Sequence, residues 1–178
     1  NDAGESEHKS KRLLEQFTKL ERYLLNNIPD DVLRISCKQL NDNAQKEGIT
    51  SATEKDIRTL LYFLTIKGYA RKKEDAAHNI EVVRQADLDT IIKRFEKRLA
   101  ICQFAVEWLF SQTLSSAVEE EKKRGVQFSI VELLNDIKKS SNLFCSLQDV
   151  QLEDVEEALL YLSKIGALKL EGGFLVLY

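Results

Sequence analysis

"LLYFLTIKGYARKK" occupies Leu60–Lys73, and "LLYLSKIGALKLE" occupies Leu159–Glu171. Both phrases run from a leucine-rich segment with a tyrosine, through a lone glycine, into a short alternating stretch. Leu60 and Leu159 stand 99 positions apart, and Gly68 and Gly166 stand 98 apart. A glycine just past the last apolar-periodic residue stops a helix, because it takes a left-handed conformation without steric cost. Each phrase therefore reads as a helix ending in glycine and leading into a strand, and the chain reads as two copies of one unit.

The flanking sequence extends the match. Before the first phrase, Leu13, Leu14, Phe17, Leu20, Leu24 and Leu25 form one helical stripe, closed by Pro29 and the Asp30-Asp31 pair. "VLRIS" reads as a short extended segment, and Ser36 with Gln39 has the capping-box spacing that opens a helix to about Gln45, ended by Gly48. Thr53 or Ser51 opens the third helix, on which Ile57, Leu60, Leu61 and Leu64 recur at threes and fours. "YARKKEDAAHNIEVVRQ" after Gly68 reads as a hairpin with a polar tip.

The second half repeats this order. A long helix from about Asp87 to Lys123, breaking near Ala100 and ending at Gly125, joins the halves. "VQFS" is again extended, and Ser129 with Glu132 again has cap spacing. Leu134-Asn135-Asp136 matches Leu40-Asn41-Asp42, Tyr161 matches Tyr62, and the strands "ALKLE" and "FLVLY" flank Gly172-Gly173. Helix, strand, helix, helix and hairpin in each half predict a mainly α fold with small β-hairpins: two tandem winged-helix units, the helix-turn-helix variant with a hairpin wing. The expected division is a disordered N-terminus over residues 1–10 ("NDAGESEHKS", in part an expression remnant), one unit over 11–86, and a second over 87–178 that includes the long helix. Tyr62 and Tyr161 are expected to pack between helices, and Trp108 to sit in a core between the two units.

With 178 residues, 43% of them hydrophobic and 31% charged, the composition is that of an ordinary soluble globular protein. The most apolar stretch, Leu99 to Phe110, contains Gln103 and Glu107 and is too short and polar to span a bilayer. Cys37, Cys102 and Cys145 are scattered with no paired spacing, and His8 and His78 lie far from them. No metal site is expected, and buried free thiols in a reducing cytoplasm are. No nucleophile–base constellation appears, so a stand-alone enzyme is disfavoured.

"LEDVEEALLYLSKIGALKLEGGFLVLY" (Leu152–Tyr178) resembles the region following the helicase core in large bacterial RecQ-like ATP-dependent DNA helicases, and a chain stopping inside that apolar strand is expected to be a piece of a longer protein. The chain departs from the family's pattern elsewhere. It has no GxxxxGK[ST] phosphate loop, no Asp-Glu helicase box followed by His and no four-cysteine zinc module. The resemblance implies a non-catalytic segment without a cofactor of its own, with ATP and Mg belonging to the parent helicase core. It further implies DNA repair and recombination as the process, a cytoplasmic, nucleoid-associated location, and the rest of the helicase chain as a partner.

Charge points to the copy that meets DNA. From Thr53 to Gly68 three cations oppose two anions, and from Tyr69 to Gln85 four oppose three, with Arg71, Lys72 and Lys73 forming a compact cluster. From Asp149 to Gly166 five anions oppose Lys164 alone, a helix that phosphates would repel. The candidate DNA contacts are therefore Lys55 and Arg58 on the third helix and Arg71, Lys72, Lys73 and Arg84 on the wing. His78, near its tip, resembles the RecQ wing-tip residue that meets an end pair. With a net charge of −3, binding to duplex or forked DNA is expected to be weak and non-specific. The competing reading is an acidic tandem winged-helix scaffold for protein partners, engaged through the second unit and without any role on DNA or membrane.

Overall fold

The structure, a computed structural model, describes residues 2–27, 32–49, 53–74, 79–115, 126–140, 147, 149–171 and 174–177. Among these lie α1 (Asp2–Asn27), β1 (Val32–Ser36), α2 (Cys37–Lys46), α3 (Glu54–Ile66), β2 (Ala70–Glu74) and β3 (Asn79–Arg84). There follow α4 (Leu88–Ser115), β4 (Val126–Gln127), α5 (Ile130–Ser140), α6 (Leu152–Lys164), β5 (Leu168–Glu171) and β6 (Phe174–Leu177). The chain is mainly helical with small antiparallel sheets, as the sequence predicts. Each sheet has three strands, in the orders β1-β3-β2 and β4-β6-β5. Among the described residues no helix is long and apolar enough to cross a membrane.

The two halves are built alike, down to single hydrogen bonds. In α3, Thr53 caps the N-terminus: its Oγ1 accepts from Asp56 N–H at 3.2 Å, and Asp56 Oδ2 accepts from Thr53 N–H at 3.1 Å. In α6, Asp154 Oδ2 accepts from Gln151 N–H at 2.8 Å. At the other end, Gly68 (φ +72°) and Gly166 (φ +83°) are left-handed. Tyr69 N–H donates to Leu64 O at 3.2 Å, and Ala167 N–H to Leu162 O at 3.0 Å, so each glycine turns the chain into its strand by the same closure. Apolar residues on α3 (Ile57, Leu60, Leu61, Phe63, Leu64) and α6 (Val155, Ala158, Leu159, Tyr161, Leu162) are buried in matching order.

That matching order corrects the alignment read from the sequence. The helices, their caps and their glycines all correspond at a spacing of 98, whereas the "LLY" letters coincide at 99. Tyr161 is thus the counterpart of Phe63, and both are 2% exposed; Tyr62 is the counterpart of Leu160 and is itself 44% exposed. The Leu-Asn-Asp match is displaced in the same way. Leu40 and Leu133, and Ala44 and Ile137, are the buried pairs, so α2 corresponds to α5 at 93. Ser36 Oγ accepts from Gln39 N–H at 3.0 Å, but the Gln39 side chain donates to Asn43 Oδ1 at 2.8 Å, leaving the expected capping box half made.

The chain divides into two compact units, Glu15–Arg94 and a unit formed by Asn1–Leu14 with Phe95–Tyr178. This differs from a boundary at residues 86 and 87. Nor do the opening residues stay unstructured, for α1 begins at Asp2. Their anchor is Ser10, fully buried, whose Oγ donates to Ala167 O at 2.7 Å. Lys11 adds exposed ion pairs to Glu7 at 3.1 Å and Glu107 at 3.5 Å. α4 runs unbroken through Ala100, with Ile101, Cys102, Ala105, Val106, Leu109 and Phe110 buried along it. Its expected continuation to Lys123 and Gly125 lies outside the described residues, as do Pro29 and Gly172-Gly173. Trp108 belongs within the second unit: its Nε1–H donates to Asp136 Oδ2 at 2.6 Å, and its ring meets Phe128 edge-on at 5.9 Å.

Candidate nucleic-acid interface

Six of the seven candidate residues, all cations, lie on described residues of α3, β2 and β3; His78 lies outside them, between β2 and β3 in sequence. Lys55 stands exposed in the first turn of α3. Arg58, one turn on, is half-buried and tied to the sheet, its Nη1–H donating to Glu74 Oε2 at 3.0 Å. An arginine read from the sequence as available for phosphate is thus already paired with the last residue of β2.

The pleat of β2 splits the "RKK" cluster. Successive side chains of a strand point to opposite faces, so Ala70, Lys72 and Glu74 share one face and Arg71 and Lys73 the other. Ala70 is buried and Lys72 half-buried, while Arg71 and Lys73 are exposed. The inner face continues through Ile80 and Val82 of β3, both buried. Arg84, opposite Ala70, is half-buried on this same side. Lys72 and Arg58 also approach Cys37: burial pushes its thiol pKa up, and the two cations pull against that shift. A buried thiol held protonated is inert as a nucleophile.

On the outer face the register makes a cross-strand row. Glu81 of β3 stands opposite Arg34 of β1 on one side and Lys73 of β2 on the other. Arg34 Nη2–H donates to Glu81 Oε2 at 2.9 Å, with the Arg34 side chain 72% exposed. Arg71, opposite Val83, lies on the same face. Three cations and one anion therefore share one exposed sheet face. Arg34 was missed from the sequence because it lies 47 residues from Glu81. Its alternate position in "VLRIS" is the signal that places it outward.

The second half has spent part of its acidity internally. Asp154 and Glu157 are 7% and 8% exposed. Asp154, besides capping α6, receives Lys97 Nζ at 3.2 Å, and that ammonium also donates to Asp149 O at 3.0 Å. Asp149 holds a left-handed turn at φ 58°. Arg98, 8% exposed, places its guanidinium 4.0 Å from the centroid of the Tyr161 ring. Glu153 and Glu156 remain as the exposed acids of α6. Among the described residues no group of three or more His, Cys, Asp or Glu is placed to hold a metal ion. Exposed cations on a rigid sheet face can hold phosphate oxygens by charge, an interaction that positions nucleic acid without reading its sequence. Compared with family models, curated proteins and solved structures, the chain matches none.

Proposed function

We propose that each half is a winged helix, and that the pair forms a non-catalytic, DNA-contacting segment of a RecQ-like ATP-dependent DNA helicase. In this reading the first half lays its outer sheet face against the backbone of duplex or forked DNA while the parent chain hydrolyses ATP with Mg. The carrying observation is the exposed row of Arg71, Lys73 and Arg34 on the outer face of the β1-β3-β2 sheet. Lys55 on α3 supplies a further exposed cation. Lys72, Arg58 and Arg84 serve the inner face of the wing, and His78, outside the described residues, keeps the end-pair role that the resemblance implies. Glu81 within the row limits the attraction, consistent with weak, non-specific binding.

The test is a fluorescence-anisotropy titration of labelled duplex and forked DNA. Few phosphate contacts give an affinity of roughly micromolar or weaker at physiological salt, with a log–log salt slope of about −2 to −3. Arg71→Gln with Lys73→Gln lowers affinity roughly tenfold, whereas Glu153→Gln with Glu156→Gln leaves it unchanged or raises it. A titration unmoved by the first pair removes the wing from the interface. A protein-binding scaffold is the second reading, favoured by Tyr62 and Ile66, 44% and 40% exposed on α3 where a DNA-reading helix would present polar groups. It takes the lead if DNA binding is absent at low salt.

A further inference from the structure

Glu81 sits in the middle of the exposed outer face of the first sheet. β3 is the central strand of β1-β3-β2, and Glu81 stands opposite Arg34 on one side and Lys73 on the other. Neighbouring strands lie about 4.8 Å apart, so the two cations are carried about 10 Å from each other with the acid between them. Arg34 Nη2–H donates to Glu81 Oε2 at 2.9 Å. The carboxylate is the more covered partner, its side chain 29% exposed against 72% for Arg34. This row is not a requirement of the unit. In the second sheet Phe174 stands between Gln127 and Glu171 as Glu81 stands between Arg34 and Lys73, and those three places hold no cation. An exposed ion pair also adds little to stability, because water and salt screen it. The acid therefore matters more for what the face binds than for how the sheet is held.

Resting on the reading of this face as a DNA contact, we propose that Glu81 is a resident competitor for phosphate. It holds Arg34 in the free protein, and Arg34 changes partner to a backbone phosphate when DNA lands on the face. Carboxylate and phosphate oxygens both accept from a guanidinium, so one can take the place of the other. A phosphate that settles between Arg34 and Lys73 lies over Glu81, and the two anions compete for one arginine. The exchange breaks the 2.9 Å hydrogen bond and makes another to phosphate, with no proton moved.

Glu81 thereby sets both the affinity and its response to salt. Each phosphate neutralised by a protein cation releases condensed counterions from the nucleic acid. The carboxylate that Arg34 leaves behind takes up a cation from solution and offsets that release. Removing the carboxylate frees the arginine for phosphate and removes the offset.

A double-mutant cycle on the whole chain tests this, read by fluorescence anisotropy with a labelled duplex. Glu81→Gln keeps the length and an acceptor oxygen but loses the charge. It is expected to raise affinity at least ~3-fold and to steepen the log–log salt slope by about 0.9. Glu153→Gln, which removes an acid from the other half, controls for net charge and is expected to raise affinity less. Arg34→Gln is expected to cost about threefold more affinity in the Glu81→Gln background than in the unaltered chain, where the arginine must first give up a partner. Equal costs in the two backgrounds mean that Glu81 acts through charge alone, and they overturn the exchange. A Glu81→Gln chain that binds more weakly makes the acid a positioning residue for Arg34 and overturns it as well. Should Glu81→Gln fail to fold, side-chain NMR of the unaltered chain decides: the Arg34 Nη resonances are expected to shift as duplex is added, and resonances that stay in place overturn the proposal. Binding that Arg71→Gln with Lys73→Gln weakens but Glu81→Gln leaves untouched removes the exchange and keeps the interface. No binding at low salt, with or without Glu81, overturns both.

Discussion

Asp56 and Asp154 stand 98 positions apart and cap their helices in the same way, yet they differ in what surrounds them. Asp56 is half-buried and bonds the backbone N–H of Thr53. Asp154 is buried, bonds the backbone N–H of Gln151 and also faces the Lys97 ammonium at 3.2 Å. Losing a cap costs about 1 kcal/mol, and removing one partner of a largely buried ion pair costs more because the other charge is stranded. Asp56→Ala is expected to lower stability by about 1 kcal/mol and Asp154→Ala by about 2 kcal/mol or more, read from urea unfolding monitored by circular dichroism. Equal losses would show that Lys97 contributes nothing there. A pH effect follows from Asp87 at the start of α4, whose carboxylate accepts from Thr90 N–H at 2.8 Å and Thr90 Oγ1–H at 2.9 Å. The backbone bond first, then the hydroxyl bond, lowers its pKa below the ordinary carboxylate value. A depressed folded-state pKa means the stabilisation is fully present above the unfolded value and is lost as pH falls through the folded one. Asp87→Ala is therefore destabilising at neutral pH, and the difference from the parent shrinks in acid as the carboxylate is protonated; a carbonyl-detected NMR titration should place the Asp87 midpoint below that of an unstructured aspartate.

Helix ends and strand alternation were the legible part of the fold, because both have local causes. Gly68 and Gly166 could be located as stops by eye, and both are left-handed, with nothing within 4 Å of where a Cβ would stand. Gly68→Ala and Gly166→Ala should consequently cost only backbone strain, about 1 kcal/mol each by chemical denaturation, with Asn at either place costing less. A loss of several kcal/mol would mean that space, not conformation, had demanded glycine. Matching letters misled where matching geometry did not. "LLY" coincides at 99 while the caps, buried faces and glycines coincide at 98, so Tyr62 was paired with the wrong residue and expected to pack between helices, whereas it is 44% exposed. The candidate site was legible to the same partial degree. Charge counting found β2, but a count along the chain does not see the pleat that turns Lys72 inward and leaves Arg71 and Lys73 outward. Nor does it see the antiparallel register that brings Arg34 to Glu81.

How the chain divides was the least legible feature, because the contacts that tie its opening residues to the second half are long-range and include a serine. Apolar periodicity begins at Leu13, so residues 1–10 were expected to be disordered, yet Asn1–Leu14 belongs with Phe95–Tyr178. Ser10 is fully buried and donates to the carbonyl of Ala167, a contact spanning 157 residues that no local pattern announces. The carbonyl it satisfies lies between Gly166 and β5, at the turn of α6 into its strand. Ser10→Ala removes the donor and leaves that buried acceptor unsatisfied, which costs about 1–3 kcal/mol. The location of the loss is the more telling measurement. Hydrogen exchange in Ser10→Ala should accelerate along α6 and β5, while α3 and β2, the equivalent elements of the other half, keep the protection they have in the parent chain. Ser10→Thr retains a hydroxyl and should recover part of that protection if the added methyl is accommodated. Were exchange in Ser10→Ala to quicken equally in both halves, or in α3 and β2 alone, the first turns of α1 would not belong with the second half, and the boundary at residues 14 and 15 would have to be redrawn.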